Sequence, residues 1–302
     1  ERAQIDITEA APTMRRAAIA SVSVATTLVI VKFAAGILTG SVAILSSLVD
    51  SLLDLVASLV TLFAVGQAAQ PADRQHRFGH GKAEALGSLA QGAIILGSAA
   101  FLLFEAADRL IDPVTIERTG IGIGVIVFSI LLTIALVIYQ RRVVAKTQSM
   151  AIDADSLHYK GDLLMNLAVI AALVLSGYLG ITWADPLFAL AIALYLGFNA
   201  AIIARGAIDV LMDRELPHED RVKIQSLVLS HKDVVNMHDL RTRSSGAHVF
   251  IQFHIELPRT IGLVEAHDIS DEIEDDLLER YPGAEVIIHA DPLGVEERRD
   301  SF

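Results

Sequence analysis

The sequence reads as an α-helical membrane domain of six spans followed by a small α+β domain, and three observations point there. Of its 302 residues 53% are hydrophobic, and the mean hydropathy is +0.52, too apolar for an ordinary soluble domain. Six apolar runs, at about 14–38, 41–65, 86–110, 120–139, 151–179 and 184–211, each exceed the roughly 18 residues that mark a spanning candidate. After Asp213-Arg214-Glu215-Leu216-Pro217 the pattern turns amphipathic and alternating, as in a packed water-soluble layer.

Taken in order, the first two runs are joined by the turn-prone Thr39-Gly40-Ser41, which predicts a tight antiparallel hairpin. The third is rich in small residues (Gly87, Ser88, Ala90, Gly92, Ala93, Gly97, Ser98), which let helix backbones approach closely. Arg15, Arg16, Arg74, Arg77, Lys82, Arg141, Arg142 and Lys146 flank one side of the runs, and only Arg109 and Arg118 the other. By the positive-inside rule both termini are cytoplasmic. A basic segment followed by a short apolar stretch and a cleavage site is not visible, so a removable signal peptide is not expected. Lys32 and Lys160 stand inside the runs and are read as snorkelling cations.

Beyond the runs, 221–229 reads as an amphipathic helix. Strands at 236–243 and 247–257 form a hairpin about Ser244-Ser245-Gly246, with Val249, Ile251, Phe253 and Ile255 alternating with Phe250, Gln252, His254 and Glu256. A charged helix at 263–281 stops at Pro282-Gly283, a last strand covers 284–289, and 294–302 is expected to be a disordered tail. The order α-β-β-α-β suggests a small α+β layer. The predicted domains are 1–212 in the membrane, 213–293 as the α+β domain, and the tail at 294–302; the family resemblance given below implies metal binding and dimerisation for 213–293.

Residues 213–302 hold twenty acidic and ten basic side chains, so most of the net charge of −12 lies there. An acidic C-terminal third argues against nucleic acid and anionic lipid as partners. There is no cysteine, which excludes disulfides, thiolate zinc sites and iron–sulfur clusters. Any metal must be held by imidazole, carboxylate, carbonyl or water.

Such ligands gather in three places. In the second run Asp50 and Asp54 lie four residues apart, on one helix face that Ser47, Ser51, Ser58 and Thr61 extend as a polar stripe. An acid at the centre of a membrane helix costs about 2.5–3.5 kcal/mol on insertion scales, and a divalent cation compensates two at once. His158 and Asp162 repeat the spacing at the head of the fifth run, completing a four-ligand site of nitrogen and oxygen donors that zinc would accept. The competing interpretation is two unrelated packing contacts, with Asp162 paired to Lys160 or Lys32. A second cluster, Asp73, His76 and His80, lies in the loop before the third run. A loop rich in His and Gly can equally be solvated and empty. The third is dispersed over His238, His254, His267, His289 and Asp291; converging on one sheet edge they would hold zinc, with Asp291 bridging two ions. His218, His231 and His248 are read as ordinary surface or core histidines.

The six spans, Asp50-x-x-x-Asp54, His158-x-x-x-Asp162 and the His-rich C-terminal domain resemble the cation diffusion facilitator family over nearly the whole chain. Phe78-Gly79-His80-Gly81-Lys82-Ala83-Glu84, Ala154-Asp155-Ser156-Leu157-His158-Tyr159 and Asp239-Leu240-Arg241-Thr242-Arg243 look like its bacterial zinc and ferrous-iron exporters of the YiiP type. The resemblance implies a homodimer with a ferredoxin-like cytoplasmic domain that exports Zn2+, with Fe2+ and Cd2+ as alternatives, against inward protons. It implies that Asp50, Asp54, His158 and Asp162 carry the ion, and that Asp73, His76 and His80 form a loop site. His238, His254, His267, His289 and Asp291 would hold zinc at the dimer interface, and Lys82 with Asp213 would form a structural salt bridge between membrane domains. Ala290 departs from the polar residue of close relatives, which removes a supporting hydrogen bond and leaves the ligands themselves in place.

Metal ligands must be deprotonated to bind, so proton coupling follows from the site's chemistry. No P-loop or organic-cofactor motif is present, and His-Glu-x-x-His, which a membrane metalloenzyme would need, is absent, so no enzymatic activity is expected. The remaining alternatives are a metal-gated channel and a membrane-anchored metal sensor.

Overall fold

The computed structural model describes residues 7–39, 42–111, 120–179, 183–246 and 248–294. Six long helices come first: α1 (Ile7–Thr39), α2 (Val42–Ala68), α3 (Lys82–Ile111), α4 (Gly120–Thr147), α5 (Met150–Leu179) and α6 (Ala184–Leu211). Five of them are long and apolar enough to cross a membrane. α5 reaches the length but carries Asp153, Asp155, Lys160 and Asp162 in its first half, which lowers its hydropathy. The expected turn at Gly40-Ser41, the flanking Arg118 and the tail beyond Gly294 lie outside the described residues.

Two compact units make up the chain, Ile5–Ile208 and Asp209–Phe302. In the first, small residues of α3 let neighbouring helices approach closely. A Cβ on Gly87 would lie 2.3 Å from the Cβ of Ala64 on α2, and one on Gly92 would lie 3.3 Å from that of Ala204 on α6. α3 is thus wedged between α2 and α6. Ile95, Ala99, Leu157, Leu196 and Ala200 close the α3–α5–α6 contact. At the start of α5, Glu84 of α3 accepts a hydrogen bond from the Ser149 hydroxyl and one of 3.4 Å from the backbone N–H of Ala151. A carboxylate there satisfies orphan donors of the first turn and suits the helix dipole.

The second unit runs α7 (His218–Leu229), β1 (Asn236–Ser245), β2 (His248–Leu257), α8 (Leu263–Arg280) and β3 (Glu285–Pro292). The sheet order is β1-β2-β3, antiparallel between β1 and β2 and parallel between β2 and β3. This is the order of a ferredoxin-like β-α-β-β-α-β unit lacking its first strand; the parallel pair needs the α8 crossover. The hairpin turns tighter than its sequence suggests, because Gly246 takes φ +62° and lets β1 run on to Ser245. Ile251, Phe253 and Ile255 of β2 are at most 1% exposed and pack with Ile224, Val228, Ile269, Ile273 and Leu277 from both helices. Each such side chain contributes about 1.5–3 kcal/mol on burial.

Gly87→Ala should destabilise the membrane unit by about 1–3 kcal/mol through overpacking, seen as a lower melting temperature in detergent. Gly97→Ala is the control, since no atom lies within 4 Å of the Cβ it would add.

Candidate metal-transport site

Asp54 of α2 and His158 and Asp162 of α5 face one another inside the membrane unit. The His158 Nε2–H donates to Asp54 Oδ1 at 3.0 Å, and Asp162 Oδ2 lies 3.9 Å from the same nitrogen. One ligand atom from each of the three lies within 4.8 Å of the others. The His158 side chain is 9% exposed, Asp54 16% and Asp162 37%, so the cluster opens from a closed imidazole end to an accessible carboxylate end. Asp50, one turn earlier on α2, is exposed and does not join the three. The polar stripe of α2 turns inward, with Ser51, Ser58 and Thr61 fully buried.

Both intramembrane lysines find polar partners on neighbouring helices. Lys32 of α1 donates to Ser51 Oγ at 2.7 Å and to the Ser47 carbonyl at 3.2 Å, bringing a positive charge beside the acids of α2. Lys160 donates to the Tyr195 hydroxyl and sits 4.6 Å from its ring centre, a cation–π contact.

The loop cluster forms a compact turn before α3. Asp73 Oδ1 accepts the backbone N–H groups of Gln75 and His76, both at 2.7 Å. These two bonds hold the Asp73 carboxyl below its ordinary range, the His76 amide first. Gly79, at φ +77°, turns the chain so that His80 Nε2 lies 3.1 Å from His76 Nδ1 and 3.5 Å from Asp73 Oδ2. His80 Nδ1 meets the Pro71 carbonyl at 3.2 Å. A donor there leaves the Nε2 lone pair facing the cluster, the tautomer that a metal needs.

In the C-terminal unit strand register gathers the ligands. His238 pairs with His254, and His254 with His289, so three imidazoles form a row across the sheet. Asp291, 6% exposed, reaches all three: 2.9 Å to His254 Nδ1, 3.1 Å to His289 Nε2 and 3.5 Å to His238 Nε2. Both ring nitrogens of His238 are buried without a hydrogen-bond partner among the described residues. Orphaned imidazole nitrogens beside a buried carboxylate fit a cation. Glu256, not anticipated, lies 3.4 Å from His238 Nδ1; its place opposite Asn236 and beside Asp291 was the available signal. His267 is not brought to this row; on α8 it is 73% exposed and lies 3.5 Å from Asp271. His231 bonds Glu272 at 3.0 Å, and His248 is exposed.

Lys82 opens α3 in the first unit. Asp213 belongs to the second and lies 3.3 Å from Arg243 Nη1.

Sequence reasoning also missed a polar hub one turn before His158. Asp155, fully buried, accepts from Ser21 Oγ at 2.6 Å, Gln140 Nε2 at 2.7 Å and Gln91 Nε2 at 3.2 Å. Its signal was the acid itself, inside an apolar run yet outside the i,i+4 ligand pair.

A multi-pass helical protein with an acid–imidazole cluster between two spans, and a second such cluster on an attached sheet, belongs to the class of cation carriers. The model of the cation efflux transmembrane domain matches residues 18–212, and that of the cation efflux protein cytoplasmic domain matches 216–293. The cation-efflux pumps FieF of Salmonella newport (strain SL254) and Salmonella typhimurium (strain LT2) are each 48% identical over 283 residues, 94% of this chain and 94% of theirs. Among solved structures, the metal-bound C-terminal domain of the CzcD transporter from Thermotoga maritima is 27% identical, with 27% of this chain and 100% of that chain covered at a TM-score of 0.26. The chain belongs to the cation efflux family, the cation diffusion facilitators, and is a multi-pass transporter of divalent metal cations.

Two measurements check the outer clusters. Asp291→Asn should lower zinc affinity of the C-terminal unit by about 10–100-fold, read by competition with a chelating dye. The Asp73 contacts to the Gln75 and His76 amides contribute order above the ordinary carboxylate pKa, about 3.9. Since the folded value is depressed, that order is lost as pH falls through it. Hydrogen-exchange protection at Gln75 and His76 should therefore hold at pH 5 and above, decline only at lower pH, and vanish at every pH in Asp73→Ala.

Proposed function

We propose that the protein exports Zn2+ from the cytoplasm in exchange for protons, by exposing one intramembrane site alternately to the two sides. The observation that carries this reading is the meeting of Asp54 with His158 and Asp162 from two helices. Intramembrane ionisable groups facing a bundle interior mark ion or proton pathways. Asp50 would join as fourth ligand, one turn along the same face of α2. Zinc accepts one imidazole and three carboxylates in a tetrahedron. The same donors admit Fe2+ and Cd2+ with less geometric preference.

Coupling follows from competition for the same atoms. With protons on the ligands, imidazole and carboxyl pair with each other, as Asp54 and His158 do at 3.0 Å. A divalent cation needs the lone pairs free and releases those protons. When the site opens outward, protons returning to the ligands displace the ion. The work is translocation, with no bond made or broken in a substrate, so the protein is not assigned an enzymatic role.

Asp73, His76 and His80 would form an accessory cation site in the loop. The row of His238, His254 and His289 with Asp291 would hold resident zinc, which would stiffen the sheet edge by joining three strands. His267, remote from that row in a single chain, would require a partner copy to contribute. The match of 216–293 to the cation efflux cytoplasmic domain supports a homodimer through the domain at 213–293, in which Lys82 and Asp213 would form the structural salt bridge. The basic flanks support cytoplasmic termini, in a bacterial inner membrane.

Proteoliposomes loaded with a zinc-sensitive dye test the reading. Zinc uptake should accelerate when the lumen is acidic, reverse with the gradient and disappear in Asp54→Ala. Uptake indifferent to the gradient would overturn proton exchange. Flux surviving Asp54→Ala would overturn the site.

A further inference from the structure

The buried acid one turn before His158 lies outside the metal-ligating cluster, yet it accepts hydrogen bonds from three other helices. Asp155 Oδ2 takes Ser21 Oγ of α1 at 2.6 Å and Gln140 Nε2 of α4 at 2.7 Å; Oδ1 takes Gln91 Nε2 of α3 at 3.2 Å. Gln140 also reaches Ser21 Oγ at 2.9 Å, and Gln91 reaches Thr61 Oγ1 at 2.8 Å and the Ala57 carbonyl at 2.9 Å on α2. One turn on, Tyr159 donates its hydroxyl to the Ser21 carbonyl at 3.1 Å and accepts from Ser58 of α2 at 2.7 Å.

Every one of these side chains is at most 1% exposed. The two glutamines leave their amide oxygens without a partner among the described residues, so both amides turn their donor end to the acid and its neighbours. That arrangement is costly unless the acceptor is a fixed feature of the fold. The network ties α5 to α1, α2, α3 and α4 within one turn of His158, whose own bond crosses to Asp54 on α2.

We infer that Asp155 is a positioning residue of the transport site: it fixes the rotation of α5, and with it the direction in which His158 and Asp162 meet Asp54. It does not touch the ion. The inference rests on the transport reading above and names the element that holds that site in register. Ligands kept in place by a supporting shell lose about 10–100-fold in metal affinity when that shell is removed.

The test is zinc transport in proteoliposomes, with KM and maximal rate separated, alongside melting in detergent. Asp155→Asn keeps the shape but turns an N–H2 toward the donors, and should raise KM about tenfold while the maximal rate and melting temperature stay close to wild type. Adding Gln140→Glu restores a carboxylate on the other side of the same hydrogen bond and should return KM to within about threefold of wild type. An unchanged KM in Asp155→Asn, or a raised KM that the exchanged pair does not recover, overturns the inference. If Asp155→Asn fails to fold, Ser21→Ala removes a single donor: a KM raised about threefold at unchanged melting supports it, and an unchanged KM overturns it. Failure of the transport reading looks different, since wild type would then carry no zinc or Asp54→Ala would keep full flux.

Discussion

The hydrogen bond between His158 and Asp54 sets the terms for the membrane unit, because it is where two acid-bearing helices meet in a region that solvates charge poorly. Removing a carboxylate from water costs several kcal/mol unless a partner replaces the lost hydration. The protein meets that cost in two different ways a single turn apart. Asp155 is surrounded by neutral donors from three other helices, which hold no charge to give up and keep their geometry whatever passes by. Asp54 and Asp162 are matched by one imidazole, a group that can gain or lose a proton. Acids of the first kind build a scaffold. Acids of the second kind could exchange partners, as the proposed passage of a cation would require.

The close approach of the helices follows from the same requirement. Gln91 spans from α3 to Asp155 and to Ala57 and Thr61 on α2, a reach that needs α3 tight against its neighbours. Gly87 against Ala64, and Gly92 against Ala204, supply that closeness. Small residues on α3 and polar residues in the hub therefore serve one end: no lipid or void separates a buried acid from its donors.

Much of this was legible in the sequence, for physical reasons. Helix periodicity fixed which residues share a face, so Asp54, His158 and Asp162 were readable from spacing alone. Periodicity within one helix says nothing about how far along its neighbour a residue falls, which is why Asp50 was grouped with them and lies apart. The same limit hid the hub, since Ser21, Gln91, Gln140 and Asp155 sit on four helices and no local pattern links them. In the C-terminal unit strand alternation foretold the apolar face of β2. The alignment of His238, His254 and His289 depended on register across two strand pairs, one shifted by a bulge between His238 and Arg241. His267 belongs to a helix whose phase turns it to solvent, a fact invisible until α8 is packed.

The three clusters share donor chemistry and differ in what holds them, and that difference argues for different roles. The C-terminal row is carried on three bonded strands, with Asp291 buried at its centre, so its ligands lose little freedom when an ion arrives and would keep it long. The loop cluster is exposed and shaped by two backbone amides and a glycine, a light frame that admits exchange with solvent. The intramembrane cluster joins two separate helices through the His158–Asp54 hydrogen bond, which a bound cation would have to replace. Rigid strands suit a resident ion, an exposed turn suits a transient one, and a junction between helices suits an ion whose arrival must move something. Were the same imidazole and carboxylates all placed on α5, binding would still occur, but it would exert no force between helices. Under the proposed reading, sharing the ligands between α2 and α5 would turn occupancy into a change of helix contact, which is the minimum a carrier needs.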